Sequence, residues 1–200
     1  MELINGLLKS LGDVYKKASE VYRKNFSTTN RPRYLSHFNF LVIHMFDPHL
    51  MCIPSLHVMV MILTYTHFKQ IAVQMQNDSS LNTSKPDAEP AGTFFEDAIK
   101  EVRLGALAIT EAVLYIKQHS VNCIPAAMYA MTKFDDMFPE EEAESFAGEL
   151  FRCAPDISGE DTEAIRNHII NLYRQFVEQG RDSSSWEKPL LDFLATLPKK

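Results

Sequence analysis

Apolar residues recur every three or four positions along the start of the chain, which is the spacing of one face of an α-helix. The positions that follow this spacing are Leu3, Ile4, Leu7, Leu8, Leu11, Val14, Tyr15, Ala18, Val21 and Tyr22. The pattern predicts a first helix ending near Asn25. The following residues are typical of a turn, and the residue before Pro32 is disfavoured in helical conformation.

The next segments also fit helices better than strands. Residues 33–46 are rich in aromatic residues and fit either; we favour a helix because no partner strand is evident elsewhere. Residues 55–76 predict a long central helix, with Ser55 placed to cap it. The polar residues 77–92 contain two prolines and predict a flexible loop. A capping box that begins at Thr93 predicts a helix to about residue 119.

Helix signals continue to the end of the chain. Pro125 and Pro139 are placed to begin helices, and three glutamates follow Pro139. Ser158 and Ser184 each precede an acidic residue by three positions, which predicts two more capped helices, the first ending at Gly180. About eight helices and no convincing strand predict an all-α fold, a single multi-helix bundle formed by the 200 residues as one domain.

Composition agrees with a globular helical chain. Apolar residues make up 46% and charged residues 23%, and the seven glycines are few for an all-β protein or a glycine-rich phosphate loop. The three cysteines lie far apart and predict neither a disulfide framework nor a zinc knuckle.

The N-terminus lacks the pattern of a secretory signal, so we expect a cytoplasmic location. Residues 50–66, the longest apolar run, are shorter than the roughly 20 residues of a membrane helix and predict a core helix, with lipid contact as the alternative.

The charge is unevenly distributed. The net charge of −6 argues against nonspecific nucleic-acid binding. Residues 1–34 carry seven Lys or Arg against three acidic residues, whereas residues 136–163 carry ten acidic residues against Arg152 alone. The basic end can bind phosphates or make peripheral contact with anionic lipid. A charged helix face exposed to water is the commoner explanation of such a charge bias.

Two short motifs carry a family resemblance. Lys24 and Arg31-Pro32 have the form K-x6-R-P, and Pro54-Ser55-Leu56-His57 downstream has the form P-S-x-H. In order and separation they resemble the first two signature motifs of the type 2 phosphatidic acid phosphatases, the all-helical superfamily that includes bacterial acid phosphatases and vanadium haloperoxidases.

The resemblance implies a phosphate site. Lys24 and Arg31 would bind phosphate oxygens through charge. Ser55 would bind phosphate at a helix N-terminus. His57 would be the catalytic general acid that protonates the leaving oxygen.

The third motif of the family, S-R-x5-H-x3-D, supplies the nucleophilic histidine and is not found. Arg103 is the only arginine in the expected window and is retained as a phosphate-binding candidate, but Ile109 and Val113 stand where the histidine and aspartate belong. The later histidines are His119 and His168, and neither has an arginine six residues before it or an aspartate four residues after it. By position, His119 is the better substitute for the catalytic nucleophile.

These observations predict a diverged phosphatidic acid phosphatase-like protein. It would bind a phosphate ester or a phosphorylated lipid head group and act as a weak phosphomonoesterase or as a pseudoenzyme. The alternative is a non-catalytic helical protein-interaction domain that uses the acidic and methionine-rich surfaces.

Two further patterns lead to weaker hypotheses. His44, Asp47, His49, Cys52 and His57 crowd a short segment, but their spacing is not that of metal ligands on one helix face, so we predict no metal site and no cofactor. The string C-I-P occurs at residues 52–54 and again at 123–125, each time before an apolar helix that contains methionine. The echo suggests two similar helix starts packed in one core.

Overall fold

A computed structural model describes residues 2–25, 52–82, 91–115, 119–134, 138–152 and 157–197, together with Phe38 and Ala154. Seven helices and no strand occur in these ranges, which confirms the all-α prediction. The helices are α1 (Glu2–Lys24), α2 (Leu56–Asn82), α3 (Ala91–Tyr115), α4 (Cys123–Phe134), α5 (Glu140–Glu149), α6 (Gly159–Arg181) and α7 (Lys188–Thr196).

Helix α2 occupies a central position, in contact with α1, α3 and α4. The hydroxyl of Tyr22, near the end of α1, donates to the carbonyl oxygen of Pro54, just before α2. Gly6, near the start of α1, lies beside His67 of α2. These contacts show that α1 and α2 run in opposite directions, so the end of α1 lies beside the start of α2.

Helix α4 is the most deeply enclosed element. Residues 123–131 are all buried, and α4 packs against α2, α5 and α6. The aromatic rings of Tyr129 and Phe176 lie 5.8 Å apart, and that of Phe176 lies 5.4 Å from Phe193 of α7. Burying a large apolar side chain stabilises a fold by about 1.5–3 kcal/mol. The buried apolar side chains of α4 therefore hold the N-terminal and C-terminal helices together.

Capping and helix-dipole signals explain several boundaries. The side chain of Ser158 accepts a hydrogen bond from the backbone N–H of Asp161, as predicted. Pro139 precedes α5, whose first turn contains three glutamates at the positive end of the helix dipole. Helix α1 ends at Lys24, as its apolar pattern predicts.

Other predicted boundaries need correction. Helix α2 continues through Asn82, so the first part of the predicted loop 77–92 is helical, and α3 begins before it ends, at Ala91. A polar sequence can extend a helix whose side chains face solvent, because its backbone hydrogen bonds are internal. Helix α7 begins at Lys188 with Glu187 as N-cap, not at Ser184. Residues 83–90, and the predicted helix at 33–46 except Phe38, lie outside the described residues.

Gly180 was predicted to terminate its helix, but α6 continues to Arg181. A methyl group on Gly180 would overlap the hydroxyl oxygen of Tyr129 and lie 3.0 Å from two carbons of its ring. The glycine is therefore needed for close packing of α6 on α4, rather than for a turn. None of the helices in the described ranges has the length and hydropathy needed to cross a membrane.

Candidate functional site

The site begins at the N-terminus of α2, where Ser55 caps the helix as predicted. Its Oγ accepts a hydrogen bond from the N–H of Val58 at 3.3 Å, and its carbonyl accepts from the N–H of Met59 at 3.0 Å. Ser55 is fully buried, so its side chain has one fixed position. The start of α2 directs backbone N–H groups and the positive end of the helix dipole toward this region.

The two C-I-P strings meet beside Ser55. The backbone N–H of Ser55 donates to the carbonyl oxygen of Cys123 at 3.4 Å, and the thiol of Cys123 is in hydrogen-bonding contact with that of Cys52. Burial and the contact with Cys52 raise the pKa of Cys123 well above its ordinary value. A thiol held in its neutral form is a poor nucleophile, so this pair packs the two helix starts together.

The turn between α3 and α4 brings His119 to the same place. The backbone N–H of His119 donates to the carbonyl oxygen of Val113 at 3.4 Å, which folds the chain back over the end of α3. His119 Nε2 lies 3.3 Å from Ser55 Oγ and 3.2 Å from His57 Nδ1. The two imidazole rings meet edge to face, with centroids 5.4 Å apart. Ser55, His57 and His119 are called the serine–histidine trio below.

The surroundings of the trio differ from one member to the next. His57 is exposed, whereas His119 is only 9% exposed. The trio therefore meets solvent on its His57 side. A hydroxyl and two imidazoles in this arrangement can donate and accept hydrogen bonds, and the imidazoles can carry positive charge or a proton.

The second ring nitrogen of His119 is buried, and no described residue forms a hydrogen bond with it. In the family pattern an aspartate four residues after the nucleophilic histidine orients it, and here that position is Cys123. The neutral sulfur of Cys123 is in contact with the backbone N–H and the hydroxyl of Ser120. The described residues therefore supply no carboxylate that would fix the tautomer of His119, as the family's aspartate does.

Lys24, the first predicted phosphate ligand, is bound elsewhere. Its ammonium group forms an ion pair with Glu187, the N-cap of α7, and this hydrogen bond lowers the pKa of Glu187. The described contacts contain no hydrogen bond or ion pair between Lys24 and the trio. The end of α1 nevertheless lies near Ser55, since Tyr22 is bonded to Pro54.

Arg103 is not brought to the trio. Its guanidinium pairs with Glu142 and Glu149 of α5 and donates to the hydroxyl of Tyr65. It lies twelve residues before the end of α3 at Tyr115, which corresponds to about 18 Å along the helix axis. The arginine therefore joins α2, α3 and α5, and its predicted phosphate contact is not supported by its position.

The carboxylate at the centre of this ion-pair network is Glu142, which also accepts from Lys69 at 2.6 Å. Burial alone would raise the pKa of Glu142, but hydrogen bonds from Lys69, Tyr65 and Arg103 lower it below the ordinary value. Burial and the hydrogen bond to Glu142 raise the pKa of Tyr65. This network could not be predicted from residue spacing, because its members belong to three different helices.

The remaining predicted residues divide into two groups. Arg31, His44, Asp47 and His49 lie outside the described residues. His168, the other late histidine, is exposed on α6, with its Nε2 2.7 Å from the Oδ1 of Asn122 in the turn after His119. Within the described part of the chain, no group of three or more His, Cys, Asp or Glu side chains is placed to hold a metal ion.

Comparison with known proteins adds no identification. No protein-family model, no curated protein and no solved structure matches this chain. The resemblance to the phosphatases therefore rests on the motifs at residues 24–32 and 54–57 alone. His119 lies beside Ser55 and His57 of the second motif.

Proposed function

We propose that the chain binds a phosphate ester at the serine–histidine trio and hydrolyses it slowly or not at all. The observation that carries the proposal is the convergence of Ser55, His57 and His119. His57 and His119 are 62 positions apart, yet their nitrogens lie 3.2 Å apart at the start of α2. The roles implied by the resemblance are phosphate ligand for Ser55, general acid for His57 and nucleophile for His119.

Anion binding at this place has three sources. The N-terminus of α2 provides a positive dipole end, the imidazoles become charged when protonated, and the Ser55 hydroxyl can donate a hydrogen bond. Arg31 is the remaining candidate for a fixed charge, since Arg103 and Lys24 are paired with carboxylates. A site that depends on charge is expected to bind weakly and to release phosphate as the salt concentration rises.

Slow turnover follows from the surroundings of His119. A histidine nucleophile needs its second nitrogen fixed by an acceptor while the first attacks phosphorus, and no described residue accepts a hydrogen bond from His119 Nδ1. Losing one member of a group of catalytic residues commonly lowers the rate by several powers of ten. Binding requires less exact geometry and is retained in this proposal.

Phosphatase assays on a panel of phosphomonoesters, including a phosphorylated lipid head group, test the catalytic half. We expect rates near background for the wild type, and any residual rate should be lost in His57→Ala and kept in His168→Ala. His168 is the matched control, because it is an exposed histidine of α6 whose described contact is with Asn122 and not with the trio. A brisk rate that survives His57→Ala would remove the trio from the mechanism.

A non-catalytic interaction domain is the second candidate, and exposed apolar side chains favour it. Ile4 and Leu8 of α1, Met75 of α2 and Phe94 of α3 are each more than half exposed. The helix directions place all four at the end of the bundle opposite the trio. Binding of phosphate by neither wild type nor His57→Ala, together with self-association or partner binding that is lost in Leu8→Ser, would favour this function.

The cellular location and the membrane contact are also proposed. We place the protein in the cytoplasm, with α1 as the element for peripheral contact with anionic lipid, because it combines basic residues with the exposed Ile4 and Leu8.

A further inference from the structure

His119 Nε2 lies at the spacing of neighbouring metal ligands from both other members of the trio. His119 Nε2 lies 3.2 Å from His57 Nδ1 and 3.3 Å from Ser55 Oγ. On a tetrahedral Zn²⁺ ion with metal–ligand distances of about 2.0–2.2 Å, two ligand atoms lie about 3.3 Å apart. We propose that His57 Nδ1 and His119 Nε2 bind a divalent transition-metal ion, with Ser55 Oγ as a weaker third ligand.

Within the trio, two groups compete for the same nitrogen of His119. Two neutral imidazoles can place one proton between Nδ1 of His57 and Nε2 of His119, and the hydroxyl of Ser55 competes for the same Nε2 atom. A metal ion engages lone pairs of all three groups at once. Lys24 and Arg103 are paired with carboxylates, so the positive end of the α2 dipole is the opposing charge that the bonds to the two imidazoles must outweigh.

The ligand set selects the class of ion. Imidazole nitrogen favours Zn²⁺, Co²⁺, Ni²⁺ and Cu²⁺ over Mg²⁺ and Ca²⁺, which prefer oxygen. Two histidines and a hydroxyl leave at least one coordination position for water or an anion, and His57 is exposed, so the ion has access from solvent. With two nitrogen ligands the affinity should be micromolar rather than that of a structural zinc site. This inference goes beyond phosphate binding and does not depend on it.

Titration of Co²⁺ into the chelator-treated full chain tests the site by visible absorption. We expect one equivalent of Co²⁺ to bind with d–d bands and without thiolate-to-cobalt charge-transfer bands. Zn²⁺ should displace the ion, and excess Mg²⁺ should not. His57→Ala should weaken binding by ~10-fold or more. His168→Ala should leave it unchanged.

Because His119 is buried, His119→Ala is interpreted only if circular dichroism shows wild-type helix content. His57→Ala keeps the test decisive, since its side chain is exposed. Three results would each overturn the proposal: no cobalt band at millimolar Co²⁺, equal affinity in wild type and His57→Ala, or charge-transfer bands showing that cysteine thiolates hold the ion.

Discussion

His57 Nδ1 and His119 Nε2 lie 3.2 Å apart although the two residues come from opposite ends of different helices. His57 belongs to the first turn of α2, whereas His119 follows the end of α3. The contact exists because α2 and α3 run in opposite directions and the chain folds back after α3. The proposed phosphate site and the proposed metal site both depend on this contact.

The first prediction concerns the cation that completes the phosphate site. Arg31→Ala should reduce the heat of phosphate binding measured by calorimetry at low salt, because the resemblance implies that the arginine of the R-P motif binds phosphate oxygens. Arg33→Ala removes the same charge two positions away and is the matched control. Equal heats from wild type and Arg31→Ala would remove Arg31 from the site.

The ion-pair network around Arg103 should contribute strongly to stability. Arg103→Met leaves Glu142 and Glu149 without their main partner in a largely buried place, since the arginine side chain is 13% exposed. We expect a loss of about 2–4 kcal/mol in the free energy of unfolding, measured with urea. Arg181→Met breaks the exposed pair with Glu140 and should cost no more than roughly 0.5 kcal/mol. Equal losses in the two variants would show that burial of the network does not matter.

Stability should also fall in acid because of Glu142. Its pKa in the folded protein is lowered, so the carboxylate stabilises the fold above the ordinary carboxyl pKa of about 4.3 and ceases to do so as the pH falls through the folded value. The difference in free energy of unfolding between wild type and Glu142→Gln should therefore be largest near neutrality and shrink below about pH 4. Urea unfolding across this range measures it, and a difference independent of pH would contradict the assignment.

Replacing Gly180 or Gly12 with alanine should change the free energy of unfolding in opposite directions. Gly180→Ala should destabilise the fold by about 1–3 kcal/mol, because the new methyl group displaces the ring of Tyr129 and disturbs its hydrogen bond to the carbonyl oxygen of Trp186. Gly12→Ala places a methyl group in open space within α1 and should stabilise by about 0.5–1 kcal/mol. A gain of stability in both variants would contradict the close packing of Gly180 on Tyr129.

Local signals predicted the fold better than the site. The apolar spacing of α1 and the caps at Ser55 and Ser158 depend on neighbouring residues only, and the structure agrees with them. Ser184 does not cap α7, which starts at Lys188 with Pro189 in its first turn. Glu187 occupies the N-cap position without a side-chain capping bond and is paired with Lys24, far away in the sequence.

The site needed contacts that spacing does not reveal. Position alone favours His119 as the substitute nucleophile, because the third family motif around it is incomplete. Arg103 has the right place in the sequence for a phosphate ligand, but the acidic residues that bind it come about forty positions later, on α5. A one-dimensional pattern cannot show which opposite charge folds against a given arginine.

The most direct test of the account follows the imidazole resonances of the histidines by nuclear magnetic resonance while inorganic phosphate is added at low salt, with a chelator present. The account predicts saturable shifts of the His57 and His119 resonances, no comparable shift of His168, and loss of the His119 response in His57→Ala. Unchanged resonances of His57 and His119 at saturating phosphate, or equal shifts at His168, would contradict a phosphate site at the trio.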